Sequence, residues 1–196
     1  MLASDSDAAV LDNGRQGELI ASARIWTGRH IENYFDPKPF LGSYVVIPYN
    51  AEQRSELIGA VADLVAALRA VAGYVTIERD YSDAHKAALG SPPDAAHVRD
   101  YPRRARERKG HYWYDKRVDV EIAGPDWGIV IGPEHLKRFA RDPAVFPVIR
   151  EAGASKVVCL SSDPADALTE AFDERLDAAR KGLAPLLMDV SKVPVS

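Results

Sequence analysis

Apolar residues between positions 43 and 78 follow two different spacings, which together predict a strand, helix, strand unit. Residues 43–48 are a β-branched run typical of a strand, and residues 74–78 return to that character. Between them, apolar side chains recur every three or four residues, as on one face of a helix: Leu57, Val61, Leu64, Val65 and Leu68. Asn50 is the expected N-cap of this helix, and Gly73 the expected glycine after its end.

A second group of patterns follows residue 117. Residues 118–122 alternate apolar and acidic side chains and residues 127–131 are an apolar run, so we expect two strands that form a hairpin. Pro133 and Pro143 each stand where the first residue of a helix would be. Gly153 is then the expected end of this helical pair.

The last third of the chain predicts one more strand and one more helix. Residues 156–160 form the strand, and Ser162 can cap a helix that ends near Gly182. The apolar face of that helix carries Leu168, Phe172, Leu176 and Leu183.

The remaining segments carry weaker patterns. Residues 1–16 are small, acidic and without periodicity, which predicts a disordered tail before a single domain over residues 17–196. Residues 20–26 suggest a short strand, and the two prolines of residues 33–39 favour a loop. Residues 80–110 read as a long excursion that holds a short helix near residues 82–89.

Taken together, these elements predict an α+β fold. We expect an open mixed or antiparallel sheet of about five strands, with helices packed mainly on one face.

Composition agrees with one globular domain. The 196 residues are 46% hydrophobic and 28% charged, which are the proportions of an ordinary soluble protein. No apolar run approaches the roughly 18 residues that span a bilayer, and no signal peptide is recognisable, so a cytoplasmic location without membrane contact is expected. The single cysteine, Cys159, lies in an apolar run and is expected to be a buried, unreactive thiol.

Charge is unevenly distributed along the chain. Residues 99–117 hold eight Lys and Arg against three acids, whereas the whole chain has a formal net charge of −4. Tyr112, Trp113 and Tyr114 follow the basic run, a combination that could bind nucleic acid through phosphate contacts and base stacking. Because the protein is acidic overall, with a pI near 5.7, we favour a protein partner over nucleic acid. A nucleic-acid or regulatory binding module that uses residues 99–117 stays as an alternative.

No motif for catalysis, cofactors or metals stands out. Neither a P-loop nor a Gly-x-Gly-x-x-Gly spacing occurs, and no two of the five histidines are three or four residues apart. Asp119 and Glu121 would share one face of a strand and could hold a divalent cation, but alternating acids are also what solvent exposure alone produces. We therefore predict no catalytic, cofactor-binding or metal-binding residue, and an enzyme of unrecognised type stays as an alternative.

Three segments resemble a known family. In residues 126–136, 157–164 and 178–187, a Trp-containing strand runs into Gly-Pro and a helix, and a late helix ends in Leu-Ala-Pro-Leu. This resembles the type VI immunity family and related immunity proteins of bacterial polymorphic toxin systems. The resemblance implies a cytoplasmic antidote that binds a cognate toxin, often a nuclease, and blocks its active site.

A basic nuclease cleft attracts an acidic partner. Our hypothesis is therefore that acids near the aromatic run form the inhibitory face. The candidate partner-binding residues are Asp80, Asp83, Tyr112, Trp113, Tyr114, Asp119, Glu121 and Asp126.

Overall fold

The computed structural model describes residues 19–28, 40–49, 53–78, 118–122 and 124–187. In chain order these residues form β1 (Leu19–Gly28), β2 (Phe40–Tyr49), α1 (Arg54–Ala67), β3 (Ala70–Glu78), β4 (Gly128–Ile131), α2 (Pro133–Leu136), β5 (Val148–Ala152), β6 (Ser155–Cys159), a 3₁₀ helix (Pro164–Leu168) and α3 (Phe172–Gly182). The expected tail over residues 1–16 and the expected helix near residues 82–89 lie outside the described residues.

The strands form one sheet in the order β2-β1-β3-β4-β6-β5, and every neighbouring pair is antiparallel. This confirms the predicted α+β class. The sheet was expected to be either mixed or antiparallel, and it is antiparallel. The described residues supply six strands rather than about five. Two segments change places: residues 118–122, predicted as a strand, are not one, and β5 comes from a segment whose pattern predicted a helix.

The first half of the sheet follows the sequence pattern closely. The strand expected near residues 20–26 extends over all ten residues of β1, and that expected over 43–48 extends over the ten of β2. In register, Ala23 of β1 pairs with Val45 of β2 and with Val75 of β3. Helix α1 follows β2 and precedes β3 in the chain.

Helix α1 buries much of the predicted apolar stripe. Leu57, Val61 and Val65 are buried and Leu68 is 38% exposed. The helix ends earlier than predicted: it stops at Ala67, and Arg69 takes the left-handed conformation with φ 51° that a glycine usually supplies.

Both ends of α1 are formed by residues other than those predicted. Gly73 lies inside β3, so the prediction that it ends the helix is wrong. The residue at the N-cap is Gln53, which makes no side-chain capping bond, and Asn50 lies outside the described residues.

The predicted hairpin between residues 118–122 and 127–131 is wrong. The latter segment is a strand, β4, but its partners are β3 and β6. Residues 118–122 form a turn, and Ile122 makes only an isolated parallel bridge with Leu187. The alternation of apolar and acidic residues therefore belongs to a turn, not to a strand, and Val118 of this turn packs on the sheet.

Of the two helices predicted to begin at Pro133 and at Pro143, only the first is present. Pro133 begins α2, as expected. Asp142 and Pro143 instead begin a turn, and Val148 and Ile149 belong to the edge strand β5. Gly153 has φ 68° and lies between β5 and β6, where it permits the tight reversal of a hairpin.

The final predicted helix is divided in two. Asp163, not Ser162, is the N-cap, and its carboxylate accepts a hydrogen bond from the Ala165 N–H. The 3₁₀ helix follows, and after a break α3 buries Phe172 and Leu176. The predicted end at Gly182 is confirmed.

Both faces of the central strands are covered. Val75 and Ile77 of β3 belong to the main core, whereas Ala72 and Tyr74, on the opposite face, pack with Val118 in a second small cluster. All four residues of β4 are buried. The turn at residues 118–122 thus contributes cover to one face of the sheet.

Among the helices of the described ranges, none combines the length and the apolar character needed to cross a membrane.

Candidate partner-binding site

Two of the predicted partner-binding acids, Asp119 and Glu121, lie on the turn formed by residues 118–122, which we call the acidic turn. Both residues are half-buried. Val118 at the start of the turn is buried against Ala72 and Tyr74 of β3. The acidic turn is thus anchored on the sheet while Asp119 and Glu121 stay partly exposed.

Backbone hydrogen bonds fix the other end of the acidic turn. The Ile122 N–H donates to the Leu186 carbonyl at 2.8 Å, and Ile122 forms a parallel bridge with Leu187. The side chain of Ile122 is buried in the main core. The segment that follows α3 therefore serves as a short partner strand for the turn.

Arg138 connects three segments through one guanidinium group. Its Nη1 donates to the Pro185 carbonyl at 2.9 Å, and its Nη2 donates to the Val120 carbonyl. The planar guanidinium can reach two acceptors at once, which a lysine cannot do in the same geometry. Arg138 thereby ties the acidic turn to the residues after α3.

His135 lies in α2, three residues before Arg138, and is fully buried. Its Nδ1 accepts a hydrogen bond from the Gly132 N–H at 3.2 Å, so the neutral ring carries its proton on Nε2. Nε2 is buried and makes no hydrogen bond with the described residues. The imidazole is therefore held through its Nδ1 at the start of α2.

Burial lowers the pKa of His135 below its ordinary value of 6.5, and the charge of Arg138 lowers it further. The backbone of Glu121 and the carboxylates of Asp119 and Glu134 act in the opposite direction but do not prevail. The ring is neutral at pH 7.

Asp126 has a different environment from the other two acids. It is only 4% exposed, and its Oδ1 accepts a hydrogen bond from the Trp127 N–H at 2.8 Å. This contact orders the chain at the start of β4. Because it is buried, we do not include Asp126 in the proposed binding surface.

The other candidate residues lie outside the described residues: Asp80, Asp83, Tyr112, Trp113 and Tyr114. The same holds for the basic segment at residues 99–117 that precedes the acidic turn.

Sequence reasoning missed His135 and Arg138. The spacing of the five histidines gives His135 no metal-ligand signal, but a histidine three residues after Gly132 is placed to accept that glycine's N–H. Arg138 carries no local signal, because its acceptors, Val120 and Pro185, are 18 and 47 residues away.

Within the described ranges, no three His, Cys, Asp or Glu side chains are grouped so that they could hold a metal ion. Cys159 is buried, and burial raises the pKa of its thiol to about 12.

The fold and the site define an α+β protein with a six-stranded antiparallel sheet and an acidic turn held against one face of it. No family model, curated protein or solved structure matches the chain.

Proposed function

We propose that this chain is an immunity protein that binds a cognate bacterial toxin, possibly a nuclease, and neutralises it by covering its active site. The acidic turn forms part of the contact surface in this proposal. The observation that carries it is the attachment of Asp119 and Glu121 to a turn that is fixed at both ends and at its centre.

A fixed turn favours binding because little conformational freedom is left to lose. Ordering a flexible loop during association costs free energy, and a surface already held in place avoids that cost. Here Val118 packs on β3, Arg138 holds the Val120 carbonyl, and Ile122 pairs with the segment after α3. The two carboxylates therefore have a defined position before the partner arrives.

Charge supports the same partner class. A cleft that holds nucleic acid is basic, so complementary acids accelerate encounter and oppose wrong partners. Asp119 and Glu121 are separated by one residue. The acidic turn thus concentrates negative charge within a span of three residues.

Two of the three segments that carry the family resemblance lie next to the acidic turn or to Arg138, which holds it. Gly132 and His135 belong to the first, and Pro185, Leu186 and Leu187 belong to the third. Both segments contact the turn or the residues that hold it. This arrangement supports a common role for the resembling segments and the turn.

A growth-rescue experiment tests the proposal. The chain is co-expressed with the protein encoded by the reading frame immediately upstream, under a promoter that makes that protein toxic. We expect the unaltered chain to restore growth and to co-purify with the toxic protein. A toxic neighbour that neither binds nor is neutralised would reject the function.

A pair of charge-reversed variants localises the surface. Asp119→Lys with Glu121→Lys should abolish rescue, because it replaces attraction to a basic cleft by repulsion. The matched control is Glu170→Lys with Glu174→Lys, which makes the same change in net charge at exposed positions near the start of α3. α3 extends about 16 Å, so this control lies away from the acidic turn.

Comparing rescue by the two variants shows whether the toxin binds the acidic turn. Rescue by the control but not by the acidic-turn variant supports the proposed surface. Equal rescue by both variants would show that the toxin binds elsewhere on the protein.

A further inference from the structure

Strand β5 lies at one end of the sheet and has a neighbouring strand, β6, on one side only. The two strands form a hairpin in which Ala152 pairs with Ser155 and residues 153–154 are the loop. A two-residue loop closes with a hydrogen bond between the residues that flank it, so the backbone groups of Ala152 point toward β6. Because this direction alternates along a strand, the N–H and C=O groups of Ile149 and Glu151 point to the outer edge.

The outer edge of β5 is a set of backbone donors and acceptors that the described residues leave unused. None of these residues pairs with this edge, and Ile149 and Glu151 take part in none of their backbone hydrogen bonds outside the sheet. Two N–H donors and two C=O acceptors, spaced two residues apart along a strand, match the backbone of another extended chain. The edge is therefore suited to the addition of a strand.

The side chains at this edge define which extended segment fits. A Glu151 carboxylate oxygen lies 2.8 Å from the Lys156 ammonium, so this acid already has a partner on β6. Arg150, between the two outward-pointing residues, is exposed, and the described residues give it no ion-pair partner. Opposite charges at directly opposite positions stabilise a pair of strands. A segment that places Asp or Glu opposite Arg150 therefore fits this edge best.

A second copy of this chain fits the edge poorly. In a symmetric antiparallel pair, the register that joins Ile149 to Glu151 of the other copy uses the outward groups of both residues, but it places Arg150 directly opposite its own copy. Like charges at directly opposite positions are destabilising. Moving the symmetry axis to Ile149 brings in Pro147, which has no N–H to donate. The edge therefore favours a partner chain of different sequence.

We infer that the toxin adds an extended segment carrying an acid to the outer edge of β5, an inference that rests on the proposed function. Hydrogen bonds to the backbone of Ile149 and Glu151 hold the segment, and its acid pairs with Arg150 and fixes the register. β5 is three strands away from β3, on which the acidic turn packs, so the two surfaces are about 14 Å apart. One toxin that covers a standard interface of about 800 Å² can contact both.

Amide hydrogen exchange reports on the edge directly. The free chain is compared with the chain saturated by the protein encoded upstream, and size-exclusion chromatography establishes that the complex has formed. Exchange of the Ile149 and Glu151 amides should slow by about tenfold or more on binding, because both N–H groups gain acceptors. The Arg150 amide points toward β6 and is bonded in the free chain, so it should change much less.

The exchange experiment separates failure of this inference from failure of the proposed function. A complex in which the Ile149 and Glu151 amides exchange as fast as in the free chain would overturn the inference and leave the proposed function standing. Absence of any complex would reject both.

Glu151→Pro removes one outward donor and leaves the hydrogen bonds to β6 in place, because edge strands tolerate proline where the N–H faces away from the sheet. We expect the Kd for the toxic protein to rise by about fivefold or more. The control is Glu151→Gln, which also loses the ion pair with Lys156 but keeps the N–H, and its Kd should stay within about twofold of the unaltered value. Equal Kd values for the two variants would contradict strand addition at this edge.

Arg150→Glu keeps the inference testable if the proline variant does not fold. The reversed charge repels the acid of the incoming segment, so the dissociation rate of the complex should rise by about fivefold or more. Arg141→Glu is the matched control, since it makes the same change in net charge at an exposed position outside β5. Equal dissociation rates for these two variants would overturn the inference.

Discussion

The indole Nε1 of Trp127 donates a hydrogen bond to the Ser161 Oγ at 3.0 Å, although 34 residues separate the two in sequence. Both residues are buried, and the Ser161 hydroxyl in turn donates to the Asp163 carbonyl at 2.7 Å. The Leu160 N–H also donates to the Trp127 carbonyl. These contacts join the start of β4 to the end of β6.

Ser161→Ala should lower the free energy of unfolding by about 1–3 kcal/mol, because it leaves a buried indole N–H without its acceptor. Chemical denaturation monitored by tryptophan fluorescence and circular dichroism measures the change. Ser162→Ala is the matched control, since Ser162 is exposed and should change stability by less than about 0.5 kcal/mol. Equal effects of the two substitutions would contradict this role of Ser161.

Two glycine-to-alanine substitutions should act in opposite directions. Gly132→Ala places a Cβ within 1.8 Å of the Val71 carbonyl oxygen, so backbone must move and stability should fall by about 2 kcal/mol or more. Gly59→Ala meets nothing within 4 Å inside α1 and should raise stability by about 0.5–1 kcal/mol. Thermal unfolding of both variants gives the comparison. A well-tolerated Gly132→Ala would contradict the close packing at this junction.

The thiol of Cys159 should not react in the folded protein. Burial raises its pKa to about 12, so the thiol is protonated at pH 8 and shielded from reagents. Labelling with a disulfide reagent should be slow without denaturant and complete within seconds once the chain unfolds. Because the pKa is raised, stability should also decrease between pH 9.0 and about 12. Rapid native-state labelling at pH 8 would contradict the buried position.

Arg138→Ala should loosen the acidic turn without unfolding the domain. The loss of hydrogen bonds from a charged donor to the Val120 and Pro185 carbonyls should reduce Ile122 amide protection by about five- to tenfold. Arg141→Ala is the control, since Arg141 is exposed and three residues further along the chain. Unchanged protection in Arg138→Ala would show that the backbone bridge alone holds the turn.

Local patterns predicted the elements whose signals are themselves local. The β-branched run of β2, the stripe of Leu57, Val61 and Val65 in α1, and Pro133 at the start of α2 are each decided within a few residues. Here periodicity and turn chemistry agree with the final packing.

The errors come from places where tertiary contacts decide. Val148 and Ile149 have a spacing compatible with a helix, but pairing with β6 makes them a strand. The end of α1 was misplaced because Arg69, not a glycine, adopts positive φ. The alternation at residues 118–122 resembles a strand, yet Arg138 and Leu186 hold it as a turn.

The candidate site was predictable only in part for the same reason. The charge of Asp119 and Glu121 and the alternating pattern around them predicted both as candidate partner-binding residues. The burial of Asp126 and the contacts of Arg138 with the acidic turn and with Pro185 depend on distant segments, which no local pattern encodes.

The most direct test of the central claim is the association rate between this chain and the toxic protein encoded upstream, measured by stopped flow at low and high salt. If the acidic turn meets a basic cleft, Asp119→Lys with Glu121→Lys should slow association by about tenfold or more at low salt. That difference should shrink as salt screens the charges, and Glu170→Lys with Glu174→Lys should stay close to the unaltered chain. Equal association rates for all three proteins at low salt would contradict the claim.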